Sequence, residues 1–220
     1  MRRLLLVLAL LPVAACLAVA TLALVYRAVD PPSTLMLGRW LTLKGVDWRP
    51  VPLGAIAPDL VQAVVASEDQ RYCLHGGVDW DALRDVVDDE EGPSRGASTI
   101  PMQAVKNIFL WPGRSYLRKA LEIPLALAAD LAWGKRRLMA NYLNVAEWGE
   151  GVFGAEAAAQ RHFRKSARNL TRGEAALLAA VLPNPILRDP ARPSRGVVAA
   201  ARRIQGRMAG VAGLMGCLKS

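Results

Sequence analysis

From Leu4 to Val25 the chain runs 22 residues without a charge, with Arg2 and Arg3 before the run and Arg27 after it. An apolar helix of about 20 residues spans a bilayer core. The two arginines and the free N-terminus favour a cytoplasmic N-end, which sends residues 28–220 to the other side. A cleaved signal peptide is the rival reading, and Val13-Ala14-Ala15-Cys16 resembles a lipoprotein cleavage box. Signal h-regions, however, run about 7–15 residues, and here the apolar stretch continues well past Cys16. An uncleaved anchor over residues 1–27 is the expectation.

The rest of the chain must then fold outside the membrane. Its composition argues against disorder, which needs low hydrophobicity as well as high charge: 53% of residues are hydrophobic beside a net charge of +9. Two histidines leave little for a His-based metal site, and three cysteines are too few for a disulfide scaffold. Cys16 falls in the apolar run. Cys73 and Cys217 share the outer compartment, where pairing needs an oxidising environment and Cα atoms about 6 Å apart. The expectation is two unpaired, mostly buried thiols.

Residues 28–56 are punctuated by Pro31, Pro32, Gly38, Gly45, Pro50 and Pro52 and read as a linker with extended segments. From Pro58 the period turns helical: Val61, Val64, Val65 and Glu68 follow i, i+3, i+4, i+7. Asp79 can cap a second helix that ends in Asp88-Asp89-Glu90-Glu91, and Gly92–Gly96 reads as a mobile loop. Further helices are expected over 100–110, 115–133, 135–147, 154–163, 171–182 and 194–215. Thr171 to Glu174 forms a capping box. No alternating strand runs of any length occur, so the outer domain, residues 57–220, is mostly α.

Glu68 closes an apolar helical stripe, where partial burial would raise its pKa toward that of a general base working near neutral pH. Asp69 and His75 are candidates to position it or to brace the turn that follows. Gly96–Pro101 is a Gly-to-Ser/Thr turn entering a helix, whose free N–H groups favour an anion. On that helix Gln103, Lys106 and Asn107 share a face, and Arg114, Arg118 and Lys119 follow. Between Gly92 and Tyr142 eight Lys and Arg face only Glu122 and Asp130. Such clustering suits a phosphate or pyrophosphate, although a solvated basic face and an Arg118–Glu122 helix pair explain part of it.

In order, Glu68-Asp69-Gln70-Arg71-Tyr72-Cys73-Leu74-His75-Gly76-Gly77, Gly96–Asn107, Arg118-Lys119-Ala120-Leu121-Glu122, Lys135–Gly149 and Arg161–Ala179 resemble the five elements of the peptidoglycan glycosyltransferases, glycosyltransferase family 51. Gly113-Arg114-Ser115, Ala146–Gly149 and Gly154–Ala159 resemble its monofunctional biosynthetic transglycosylase branch. Tyr72 stands for the usual Phe, Val78 for a bulkier residue and Ala140 for a Glu, while Leu121 occupies a place where some relatives carry a lysine. The resemblance implies a lysozyme-like glycosyltransferase domain behind one N-terminal transmembrane helix, in the cell inner membrane, with the catalytic domain periplasmic.

It also implies an activity: polymerising lipid II into glycan strands, in cell wall biogenesis. Glu68 would remove the proton of the acceptor GlcNAc 4-hydroxyl, whose oxygen attacks the donor MurNAc anomeric carbon and inverts it. Lys106, Arg114, Arg118 and Lys119 would offset the charge of the departing undecaprenyl pyrophosphate. Glu122 joins the catalytic set by orienting those cations. Ser98, Thr99, Gln103 and Asn107 would complete the donor pocket. No cofactor is required. The resemblance admits a divalent cation, Mg or Mn, on the substrate pyrophosphate, without a ligand cluster that demands one, so no metal site is assigned.

The partners implied are lipid II, the nascent strand, membrane lipid and other cell-wall synthesis or division proteins. Val197–Leu218, with Arg202, Arg203 and Arg207 among apolar residues, reads either as a basic amphipathic helix suited to anionic lipid or as a plain core helix. A lytic enzyme of lysozyme-like fold would also use one key Glu, but has no reason for the cationic set or the anchor. The lack of Ser-x-x-Lys and Lys-Thr-Gly excludes a transpeptidase domain. A non-catalytic basic membrane scaffold explains charge and anchor but not the motifs. Nucleic acid is not expected, because the aromatics are not interleaved with the basic cluster.

Overall fold

A computed structural model describes residues 2–88, 98–113 and 115–219, with residues 2–9, 12, 87 and 88 described by backbone alone. The Gly92–Gly96 loop, the acidic run from Asp89 and Arg114 lie outside the described residues. The apolar run forms helix α1 (Arg2–Val25). Among the described residues no helix is long and apolar enough to cross a membrane. The structure supplies the helix and not the span.

Residues 28–56 hold more regular structure than their punctuation suggests. Helix α2 (Thr34–Leu41) starts where the Ser33 hydroxyl accepts the Met36 N–H at 3.1 Å, just after Pro31-Pro32. Met36 is fully buried, and the Thr34 hydroxyl donates to the Leu110 carbonyl. Strand β1 (Asp47–Trp48) follows. An eight-residue helix containing Gly38 is too short to print a periodic stripe on the sequence.

Next come α3 (Pro58–Glu68), α4 (Trp80–Asp88), α5 (Ile100–Phe109) and α6 (Tyr116–Val145). The two helices expected over 115–133 and 135–147 are the halves of α6, which leaves helical geometry at Gly134 (φ 68°, ψ 166°). Strands β2 (Glu147–Gly149) and β3 (Val152–Phe153) complete a sheet of order β1-β3-β2, with β1 parallel and β2 antiparallel to β3. Strands of two or three residues are too short to show alternation in sequence.

Helices α7 (Ala155–Phe163), α8 (Arg172–Val181) and α9 (Arg195–Ala212) finish the fold. The capping box opens α8 as the sequence predicts. Helix α3 buries Leu60, Val61, Val64 and Val65, packing against α8 and α9. Helix α9 is a core helix: Val197, Ala201, Ile204, Met208 and Val211 are buried, and Arg202, Arg203 and Arg207 stay outside.

Cys73 and Cys217 form a disulfide with Cα atoms 5.6 Å apart. This corrects the expectation of two unpaired thiols. Packing alone predicts burial of each cysteine but not that the tail after α9 returns to the turn after α3. Arg136 fixes the same tail by donating to the Leu218 carbonyl.

That turn backs closely onto α6. Gly77 sits at φ +85°, and a Cβ there would meet the Ala126 carbonyl oxygen at 2.6 Å. Gly77→Ala is therefore expected to destabilise the domain by about 2–3 kcal/mol, combining backbone strain and a clash with the α6 backbone. Chemical denaturation tests this; an unchanged midpoint would refute the close approach.

Candidate active site

Glu68 is the last residue of α3, so its side chain leaves the apolar stripe at the helix end. Its carboxylate accepts from Gln103 Nε2 at 3.1 Å and from the Ser67 hydroxyl at 3.2 Å. Burial pushes its pKa above the ordinary carboxylate value of 4.5, against the two hydrogen bonds and the Lys106 charge, which pull it down. The direction matches the sequence expectation. Gln103 is oriented in turn by the Tyr142 hydroxyl, which donates to its Oε1 at 3.1 Å. Tyr142 was within a recognised element but drew no role from sequence, since only the fold brings α6 across to α5.

Asp69 turns away from Glu68. It accepts the Ile100 N–H at 2.9 Å and bonds His75 Nε2 at 3.0 Å. Asp69 and His75 thus brace the turn, and the anion at the N-terminus of α5 is the protein's own carboxylate rather than a ligand. Thr99 caps α5 and donates its hydroxyl to the Gly77 carbonyl at 2.6 Å. Tyr72, the departure from the usual Phe, uses its hydroxyl to bond the Lys135 carbonyl at 2.8 Å. Lys135 Nζ lies 4.8 Å above the same ring. Ala140 and Val78 are simply buried.

The Glu68–Gln103 contact joins the linings of two clefts. One, of about 450 Å³, is lined by Gln103, Lys106, Asn107, Trp111, Arg118 and Tyr142, among others. The other, of about 370 Å³, is lined by Glu68, Arg71, Asp79, Ser98, Thr99 and Arg207, among others. The sequence reading grouped Ser98 and Thr99 with the cationic pocket. The structure sets them in the wall of the Glu68 cleft, because they immediately precede α5 while Gln103, Lys106 and Asn107 lie one to two turns along it. Burial lowers the pKa of Lys106, and the nearby Glu122 carboxylate raises it in part.

Glu122 is 2% exposed and lies beneath the cations rather than in either cleft. It bonds Arg118 at one oxygen and Lys119, at 3.1 Å, at the other. Lys119 also donates to Ser98, so it bridges the two sides of the site. Glu122 thus holds the Arg118 and Lys119 side chains together. Arg114 lies outside the described residues. Among the described residues no group of three His, Cys, Asp or Glu side chains gathers as a metal site.

A half-buried carboxylate of raised pKa thus lines one cleft and contacts a residue of the cationic one. Residues 37–209 match the Transglycosylase family, to which this chain belongs. It is 54% identical over 192 residues to the biosynthetic peptidoglycan transglycosylase of Agrobacterium fabrum, covering 86% of this chain and 85% of that one. It is likewise 54% identical over 209 residues to the biosynthetic peptidoglycan transglycosylase of Brucella suis, covering 93% and 90%. The Rhizobium meliloti protein of the same name is 55% identical, covering 86% and 81%.

Proposed function

We propose that the protein is a membrane-anchored peptidoglycan glycosyltransferase that polymerises lipid II into glycan strands. Glu68 takes the proton from the acceptor's GlcNAc 4-hydroxyl as the oxygen bonds to C1 of the donor strand's MurNAc. The bond from C1 to the pyrophosphate oxygen breaks, the anomeric centre inverts from α to β, and undecaprenyl pyrophosphate leaves. An inverting displacement needs its base on the attack side and charge stabilisation opposite. The observation that carries this reading is the Glu68–Gln103 hydrogen bond, which joins the cleft lined by Glu68 to the cleft lined by Gln103, Lys106 and Arg118.

Lys106, Arg118 and Lys119, with Arg114, neutralise the growing charge on the pyrophosphate, and Glu122 holds Arg118 and Lys119 in place. Gln103 and Asn107 complete the donor side; Ser98 and Thr99 shape the acceptor side. A divalent cation, Mg or Mn, could accompany the substrate pyrophosphate on this reading; no cofactor is required for it.

The substrate carries a polyprenyl tail and never leaves the bilayer, so the enzyme must work at its surface. Residues 1–27 are proposed as a cytoplasmic stub and single anchor in the cell inner membrane, with residues 57–220 as the transferase domain on the periplasmic side. The Cys73–Cys217 disulfide supports that placement, because such bonds persist in oxidising compartments.

The purified protein is expected to convert lipid II to polymer and to leave finished peptidoglycan intact, as followed by gel separation of labelled glycan. Solubilisation of finished peptidoglycan without polymer from lipid II would instead establish a lytic enzyme.

A further inference from the structure

The cationic cleft serves the departing pyrophosphate, but the acceptor is also anionic, with its own lipid-linked pyrophosphate and the carboxylates of its stem peptide. On the proposed function, the acceptor enters on Glu68's side. The charged groups there are mostly committed within the protein. Asp69 is bonded to His75 and Ile100, and Arg71 lies 3.5 Å from Asp79 and 2.8 Å from Asp81. Arg207 is different: it lines the same cleft, it is exposed, and among the described residues it has no hydrogen bond or ion pair.

Its place is set by the fold. The neighbouring Met208 is fully buried, and its carbonyl accepts from Gln62 Nε2 at 2.8 Å. Gln62 lies on α3, six residues before Glu68, about 9 Å along the helix axis at about 1.5 Å per residue. One hydrogen bond thus registers α9 against the helix that carries the base. Beyond α9, the Cys73–Cys217 bridge ties the tail to the turn that follows Glu68. Arg207 thus lies next to a contact with α3 at Gln62 and before a bridge to the turn after Glu68 at Cys73.

We infer that Arg207 is a specificity-determining residue of the acceptor subsite, binding an oxyanion of the incoming lipid II while its 4-hydroxyl lies at Glu68. The guanidinium fork suits either phosphate or carboxylate. This inference rests on the proposed function but adds a residue outside the five sequence elements.

The test is a single transfer between a lipid-linked donor that lacks its terminal 4-hydroxyl, so that it cannot accept, and lipid II as acceptor. Arg207→Gln should raise the acceptor KM about tenfold or more, as expected for loss of a charged hydrogen bond. The donor KM should stay within about twofold, and Arg207→Lys should restore part of the loss. Arg202→Gln, which removes another exposed charge from α9 away from the cleft, serves as the control.

Two acceptor analogues separate the sources. If the wild-type advantage over Arg207→Gln collapses with a monophosphate acceptor, the pyrophosphate is the ligand; if it collapses with an amidated stem peptide, the carboxylate is. An unchanged acceptor KM, an equal effect of Arg202→Gln, a loss on the donor side, or an advantage that survives both analogues would each overturn the inference. The proposed function would still stand in all four cases, since the wild type transfers normally. No transfer by the wild type would overturn both.

Discussion

Glu68→Gln is expected to lower the initial rate of lipid II polymerisation by about 10²–10⁴-fold, the range for loss of a general base. The substitution keeps the volume of the side chain and one oxygen to accept from Gln103, so the arrangement of α3 and α5 should survive. Labelled polymer measured over early time points decides it. A variant retaining more than about a tenth of wild-type rate would mean that the base lies elsewhere.

The same variant carries an opposite expectation for stability. Burial raises the pKa of Glu68 in the native protein above its ordinary value of 4.5. The native state therefore binds this proton more tightly than the unfolded chain does. Stability contributed by the protonated carboxyl is present below 4.5 and is lost as pH rises through the folded value. At neutral pH the ionised carboxylate is thus a cost that Glu68→Gln removes. Thermal midpoints should show the variant at least as stable as wild type at pH 7–8, with the advantage vanishing as the pH falls toward 4.5. Activity of the wild type should fall on the acid side at a pH above 4.5, the ordinary value for this carboxyl. A variant less stable than wild type at pH 8 would contradict the burial argument.

Cys217→Ser is expected to give the largest loss of stability. The bridge closes a sequence separation of 144 residues. Removing a disulfide across so long a loop costs about 2–4 kcal/mol, which in a protein of this size lowers the melting midpoint by roughly 10 °C. Reductant should produce the same shift in the wild type and none in the Cys73→Ser, Cys217→Ser double variant. Thiol titration of protein in membranes from aerobically grown cells should find Cys16 alone; three reactive thiols, with no shift on reduction, would show that the bridge does not form in the cell.

The helical elements were legible because their signals are local. The stripe before Glu68 gives α3, the Thr171–Glu174 pattern gives the start of α8, and Gly134 separates the halves of α6 as expected. The bracing role of Asp69 and the sheet were not legible in full, since both depend on pairs distant in sequence. Asp69 contacts Ile100, and Asp47 pairs with Val152. The site residues were found by the family's motifs rather than by chemistry visible in one segment. What those motifs could not supply was which cleft each residue faces. Ser98 and Thr99 line the Glu68 cleft because about two turns of helix lie between them and Lys106, while Ser98 still meets the cationic set through Lys119. Arg207, on a helix read either as meeting lipid or as part of the core, lines the same cleft as Glu68, next to the Gln62 contact with the backbone of Met208.

The break at Gly134 has a geometric consequence. Just before it, Trp133 Nε1 bonds the Ala23 carbonyl at the end of α1. Just after it, Lys135 Nζ bonds the His75 carbonyl in the catalytic turn at 2.6 Å, and Arg137 reaches back to the Tyr26 carbonyl and Asp30. Five consecutive residues therefore grip both the end of the proposed anchor and the turn beside the base. On the proposed topology they act as a height gauge: the distance from the bilayer surface to Glu68 is set there, over one short stretch. A substrate tethered to the same bilayer by its tail presents its sugars at a fixed altitude, and the enzyme meets them at a matching one.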